Sequence, residues 1–111
     1  MQIKLSTGKI VDIVDEYGFD QELRAAELSE VPAVMTYADT ILLNIASVMA
    51  AVTKIDGKGI QEVTGEAVRS KDLLKSFRKA FNDAEWKQLD KAFEEVYAKG
   101  PKSIGEYFIL S

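Results

Sequence analysis

The sequence predicts an α+β fold that is mainly helical, with an N-terminal β-hairpin packed on three or four helices, including a long apolar central helix. Three observations predict it. Apolar residues alternate around a glycine-containing turn in the first 14 residues, the middle of the chain is apolar with helical periodicity, and two later segments combine cap residues with an apolar face.

The length of 111 residues and the hydrophobic share of 47% predict one domain, large enough to bury a core without a metal or a disulfide. Within it we expect the hairpin in residues 1–16, a helical part in residues 20–99 and an apolar C-terminal tail in residues 100–111.

The N-terminal hairpin is predicted from the alternation of Ile3 and Leu5 with polar neighbours, followed by the turn residues "STGK" and the β-branched stretch "KIVDIVD". Gly8 suits a positive backbone angle in that turn. A first helix then follows through "QELRAAELSE", for which Asp20 is the expected cap and Leu23 and Leu28 supply a modest apolar face.

The central helix is predicted over "VPAVMTYADTILLNIASVMAAVTKI", with Pro32 in its first turn. One apolar row repeats at spacings of four and three: Val31, Met35, Ala38, Leu42, Ile45, Met49 and Val52. A second row repeats at spacing seven: Val34, Ile41, Val48 and Ile55. Two rows predict a helix buried on most of its circumference, either in the core or at a subunit interface. Asp39 and Asn44 in mid-segment argue against a membrane span.

The run "DGKGI" at residues 56–60 is interpreted as a structural loop at the end of this helix. If Asp56 and Gly57 are aligned with the centre of a calcium-binding loop, the remaining ligand positions hold Val52, Lys54 and Val63, which cannot bind calcium. The two glycines alone do not make a phosphate loop either.

Two helices are predicted in the last third of the chain. Ser70 is a plausible cap ahead of Leu74 and Phe77, and Gly65 marks a break before it. Asn82 and Glu85 have the spacing of a capping pair. The apolar face of the last helix consists of Trp86, Leu89, Phe93, Val96 and Tyr97, and Gly100 and Pro101 supply the stop.

The chain ends in the apolar run Tyr107-Phe108-Ile109-Leu110. We expect this tail either to form a strand that closes the edge of the N-terminal hairpin or to bind another subunit or partner.

The composition excludes several kinds of chemistry. With no cysteine and no histidine, the chain has no thiol nucleophile, no Ser-His pair and no Cys- or His-bound metal, so neither an enzyme nor a cofactor is expected. Clustered acids such as Asp83 and Glu85 are interpreted as solvated surface charge. The polar N-terminus is no signal peptide, and we expect a cytoplasmic protein.

The best basic patch comprises Lys71, Lys75, Arg78 and Lys79, which share one side of the helix predicted over residues 70–81. It supports an alternative function as a small nucleic-acid-binding regulator. The net charge of −4 argues against this, and a solvated helix face is favoured over a nucleic-acid site.

The order of these features resembles the small tail assembly chaperones of long-tailed bacteriophages. The stretches that carry the resemblance are "IKLSTGKIVDI", "ASVMAAVTKIDGKGI" and "SKDLLKSFRKAFNDAEWKQLDKAF", within about residues 2–97. The matching positions are Val52 to Lys58, where Val replaces the first Ile of the family's "I-T-x-I-D-G-K" turn, then Asp72-Leu73 and Asn82 to Leu89.

The resemblance implies a non-enzymatic protein of the bacterial host's cytoplasm that keeps the tape measure protein soluble while tail tube subunits assemble around it. A homo-oligomer is also expected. The residues expected to contact a client or a subunit are apolar positions of the central helix and the tail: Met35, Leu42, Ile45, Met49, Tyr107 and Phe108.

Overall fold

A computed structural model describes residues 1–30, 34–65 and 70–99, and it confirms the predicted α+β, mainly helical class. In chain order the elements are β1 (Gln2–Lys4), β2 (Ile10–Ile13), α1 (Phe19–Ser29), α2 (Tyr37–Ala51), β3 (Val52–Ile55), β4 (Lys58–Gly59), α3 (Ile60–Thr64), α4 (Ser70–Lys79) and α5 (Asp83–Lys99). The four strands form one antiparallel sheet in the order β1-β2-β3-β4.

The N-terminal hairpin is confirmed. Its turn is closed by the Leu5 N–H, which donates to the Lys9 carbonyl at 2.8 Å, and Gly8 adopts the expected positive φ of +94°. Leu5, Val11 and Ile13 are buried on one face of the sheet, which therefore forms one side of the core.

The central helix is shorter than predicted. It begins at Tyr37 and ends at Ala51, and Val52–Ile55 is a strand that pairs with β2, with Val11 opposite Ile55. The β-branched residues Val52, Thr53 and Ile55 favour a strand, and the open edge of β2 supplies its hydrogen bonds. The helical part expected over residues 20–99 therefore also contains two strands, β3 and β4, and Val31 and Pro32 lie outside the described residues.

Asp56 and Gly57 form the two-residue turn of a second hairpin rather than a loop after a helix. Ile55 pairs with Lys58 across the turn, and both central residues have positive φ, +50° at Asp56 and +76° at Gly57. Two positive φ angles define a type I′ turn, for which Asp-Gly is a favoured sequence. The Asp56 carboxylate also accepts from the Ile10 N–H at 2.8 Å, which ties the turn to β2.

We expect Gly57→Ala to lower the free energy of unfolding by about 1–2 kcal/mol, because an L side chain at this φ contacts the following carbonyl oxygen. Thermal or urea unfolding measures the change. Lys58→Ala is the matched control, since Lys58 is exposed and lacks a positive φ, and it should change stability by no more than about 0.5 kcal/mol. Equal effects of the two substitutions would contradict the turn assignment.

The first helix begins two residues earlier than predicted, and Asp20 is not its cap. Gly18 occupies the N-cap position, and its N–H donates to the Gln21 side chain at 2.9 Å. Helices α1 and α2 are neighbours, and Glu22 and Ala26 of α1 line a small cavity together with Leu43 and Ser47 of α2.

The last two helices close the core. Both are present as predicted, although Ser70 is the first residue of α4 and not its cap. Gly65, at φ +78°, ends α3, and Leu74 and Phe77 of α4 are fully buried. The predicted capping pair at the start of α5 is confirmed, since the Glu85 N–H donates to the Asn82 side chain at 2.7 Å and the Asn82 N–H donates to the Glu85 carboxylate at 2.9 Å.

The aromatic part of the core joins α4 to α5. The Phe77 ring meets those of Phe81 and Trp86 edge-on, at centroid distances of 5.4 and 6.0 Å. Leu89, Phe93 and Val96 continue the buried face of α5. The predicted stop at Gly100 and Pro101 and the apolar tail of residues 100–111 lie outside the described residues.

None of the helices described over residues 1–30, 34–65 and 70–99 combines the length and the apolar character needed to cross a membrane.

Candidate partner-binding surface

Four large apolar side chains are exposed around the start of α2: Val34, Met35, Tyr37 and Ile41, which we call the apolar tip. Val34 and Tyr37 are each 82% exposed, which is far above what a core residue of a monomer shows. Tyr37 and Ile41 are one helical turn apart and so share a face of α2, while Val34 and Met35 immediately precede the helix.

A capping box holds the apolar tip in place. The Thr36 hydroxyl accepts from the Asp39 N–H at 3.2 Å, and the Thr36 N–H donates to the Asp39 carboxylate at 2.8 Å. The Asp39 carboxylate accepts hydrogen bonds from the main chain and the side chain of Thr36, and these hold the pKa of Asp39 below its ordinary value. The main-chain bond has the larger effect. The helix therefore starts at a defined residue, directly after Met35.

Burial changes along α2. Ile45, Val48 and Met49 are buried, yet Tyr37 and Ile41, which lie one to two turns earlier on the same side of the helix, are not. Leu42 is half-buried and packs against the edge of the core. One helix thus provides both core and exposed apolar surface.

The predicted partner-binding residues divide between these two regions. Met35 is 39% exposed and Leu42 is half-buried, so both are accessible to a partner, whereas Ile45 and Met49 are buried core residues that a partner does not reach in this fold. Tyr107 and Phe108 lie outside the described residues.

Sequence reasoning missed Val34, Tyr37 and Ile41 as surface residues. The signal was present in Thr36-x-x-Asp39, which has the form of a capping box and places the start of the helix at residue 37. Periodicity alone extends the predicted helix back to residue 31, and it does not distinguish apolar positions that are buried from those that are exposed.

The basic patch of α4 is only partly available to an anion. Lys71, Lys75 and Lys79 are exposed, but the Arg78 guanidinium forms a 2.8 Å ion pair with Asp83 and lies over the Trp86 ring at 4.8 Å. A phosphate backbone would have to compete with both contacts, so the geometry favours the solvated helix face over a nucleic-acid site.

Glu85 is buried, which corrects its interpretation as surface charge. Its carboxylate accepts from the Thr7 hydroxyl and lies 3.6 Å from the Lys9 ammonium, so it joins the turn of the first hairpin to the start of α5. The hydrogen bond from Thr7, followed by that from the Asn82 main chain, lowers the pKa of Glu85. Asp83, by contrast, is exposed as expected.

A second cluster lies where α1, α2 and α5 meet. The buried Tyr17 ring packs edge-on against Phe93, at a centroid distance of 5.3 Å, and in a tilted arrangement against Tyr97, at 5.2 Å, beside a cavity of about 190 Å³. Burial raises the pKa of Tyr17 to about 12, so its hydroxyl stays neutral and serves packing.

Among the described residues, no group of three or more acidic side chains is placed to hold a metal ion. Exposed large apolar side chains such as those of the apolar tip suit contact with another apolar surface. Comparison of the chain with protein-family models, with curated proteins and with solved structures found no match.

Proposed function

We propose that the protein is a non-enzymatic phage tail assembly chaperone whose apolar tip binds apolar segments of the tape measure protein. The observation that carries the proposal is the exposure of Val34, Met35, Tyr37 and Ile41 at one end of the molecule. The assignment to tail assembly depends on the sequence resemblance, and the tip supplies a surface suited to that role.

The physical case is the favourable free energy of covering these side chains. Burying a large apolar side chain that was exposed contributes roughly 1.5–3 kcal/mol, so two such residues can change an affinity by about a hundredfold or more. Tyr37 offers a large contact area with few rotatable bonds, and Met35 adapts to partners of different shape. Both properties suit binding to an extended client.

Charged residues surround the apolar tip and would limit unspecific association. Asp39 lies in the first turn of α2, and Lys71 of α4 is close enough to influence its pKa. A rim of both signs favours solubility of the free chaperone while leaving the apolar centre open.

In this proposal the protein acts in the cytoplasm of the bacterial host, holds the tape measure protein in solution and releases it as the tail tube protein assembles. It does so as a homo-oligomer. Several tips in one assembly would bind several segments of a long client at once, and such multivalent binding raises the overall affinity.

The test is co-expression with the tape measure protein, followed by measurement of the soluble fraction and of binding in a pull-down. We expect the unchanged protein to keep the tape measure protein soluble. The double substitution Val34→Asp and Tyr37→Asp should weaken binding by at least about tenfold, because both apolar contacts are replaced by charges. Both positions are 82% exposed, so the fold should tolerate the change.

The matched control is Phe19→Asp with Leu23→Asp, an exposed apolar pair one turn apart on α1. It adds the same charge elsewhere and should leave binding intact. If the tip and control variants bind equally well, the apolar tip is not the client site. If the unchanged protein leaves the tape measure protein insoluble, the proposed function itself is wrong.

A further inference from the structure

Strand β1 is an edge of the sheet with main-chain groups directed outward. The Met1 carbonyl accepts from the Ile13 N–H and the Leu5 N–H donates to the Lys9 carbonyl, both at 2.8 Å, so the odd-numbered residues in and next to β1 bond to the other arm of the hairpin. In an antiparallel pair the residues between them direct their N–H and C=O groups the other way. No strand within residues 1–30, 34–65 and 70–99 pairs with this edge, so Gln2 and Lys4 present two donors and two acceptors along it.

A groove of about 210 Å³ lies between this edge and α5. It is lined by residues of β1 and α5: Ile3, Lys4, Leu5, Gln88, Lys91, Ala92 and Glu95. At one end of it, the Gln88 side chain accepts from the Ser6 N–H at 2.9 Å. Helix α5 thus already provides a hydrogen-bond acceptor for the Ser6 N–H, which follows β1. The groove offers space for a segment that could hydrogen-bond to the main chain of Gln2 and Lys4.

The chain itself supplies a segment that can reach this groove. Helix α5 begins beside the hairpin turn, where Glu85 meets Thr7, and therefore runs back along β1 towards its first residue. It ends at Lys99, about one turn beyond Glu95 of the groove. The 12 residues 100–111 follow and span up to about 40 Å when extended, while β1 is only about 10 Å long.

We propose that residues 104–110 bind in this groove as a strand along the free edge of β1, with main-chain hydrogen bonds to Gln2 and Lys4. The segment leaves α5 and turns back, so it runs parallel to β1. Alternate side chains of Tyr107-Phe108-Ile109-Leu110 then cover Ile3 and Ala92. Covalent linkage supports binding within one chain, because a short connection gives an effective concentration on the order of millimolar.

The test is amide hydrogen exchange measured residue by residue on the full chain by NMR. We expect the Gln2 and Lys4 amides to exchange at least about tenfold more slowly than unprotected amides, since hydrogen-bonded amides exchange only after local opening. In the full-length double variant Tyr107→Asp and Phe108→Asp this protection should disappear. Neighbouring strand residues face opposite sides, so one of the two substitutions places a charge in the groove in either register.

The Ile3 and Leu5 amides are the internal control, because β2 protects them whether or not the groove is occupied. The tip variant Val34→Asp with Tyr37→Asp adds the same charge elsewhere and should leave Gln2 and Lys4 protected. No client is needed, so the outcome is independent of the proposed function.

Unprotected Gln2 and Lys4 amides in the unchanged protein would overturn the proposal, as would protection that survives in the Tyr107→Asp and Phe108→Asp variant. Protection that falls on dilution, together with dissociation of a dimer in light scattering, would assign the groove to a second copy and so overturn binding within one chain.

Discussion

Phe77→Ala is expected to lower the free energy of unfolding by about 3–5 kcal/mol, the range for removing a buried aromatic ring. Phe77 is 0% exposed and meets the rings of Phe81 and Trp86 edge-on. The substitution removes the apolar contacts of the ring and leaves a cavity between α4 and α5, where the rigid partners can relax only in part.

Urea unfolding, with Trp86 as the single tryptophan and a reporter beside the cavity, measures this loss. Two controls define the mechanism. Phe77→Leu should cost less because it fills part of the volume, and Phe19→Ala should cost no more than about 0.5 kcal/mol because Phe19 is 58% exposed. A loss at Phe77→Ala as small as that at Phe19→Ala would place the core elsewhere. Since whole domains have stabilities of about 5–15 kcal/mol, the expected loss is large enough to unfold part of the population.

Glu85→Ala is expected to lower the free energy of unfolding by about 2–3 kcal/mol at neutral pH. Alanine removes the capping acceptor for the Asn82 N–H, the acceptor for the Thr7 hydroxyl and the charge opposite Lys9, in a buried position. Asp83→Ala is the matched control two residues away, and it should cost at most about 0.5–1 kcal/mol because Asp83 is exposed and forms a surface ion pair. A similar loss for both would contradict the role of Glu85 as a buried anchor.

The Glu85 carboxylate should also make the free energy of unfolding depend on pH. The pKa of Glu85 is lower in the folded protein than its ordinary value of about 4.3, so the folded state favours the ionised form. Its contribution to stability is complete above that ordinary value and is lost as the pH falls through the lower pKa of the folded state. In Glu85→Gln the acid limb of the stability curve should be shallower, as measured by urea unfolding between pH 7 and pH 3. An acid limb as steep as that of the unchanged protein would exclude this group as its source.

The structure divides α2 into two regions with different roles. Ile45 and Met49 are buried core residues, whereas Tyr37 and Ile41 in its first turns are exposed, as are Val34 and Met35 just before it. Substitutions at Ile45 or Met49 would act on the proposed client binding only through unfolding, and they are poor tests of the proposed function. The exposed tip allows binding to be changed while the core stays intact.

Local rules in the sequence determined much of this fold. The hairpin around Gly8, the capping pair of Asn82 and Glu85 and the buried face of Leu74 and Phe77 were predicted because each depends on residues a few positions apart. The Asp56-Gly57 turn is of the same kind: its signal was in the sequence and was overlooked because a helical period ran into it.

Contacts between distant residues decided the rest. Val52 and Ile55 fit the helical period as well as they fit a strand, and only the free edge of β2 made the strand preferable. Glu85 has the sequence context of a surface acid, and it is buried because Thr7 and Lys9, nearly 80 positions earlier, come to its side. Thr36-x-x-Asp39 signalled where α2 begins, but the exposure of Tyr37 depends on which part of the helix the rest of the fold covers, and this is not a local property of the sequence. The sequence by itself thus determined the fold class, the turns and the caps, since their free energies depend on residues close together in the chain. Burial and exposure depend on contacts between distant residues, so only the tertiary structure decided them.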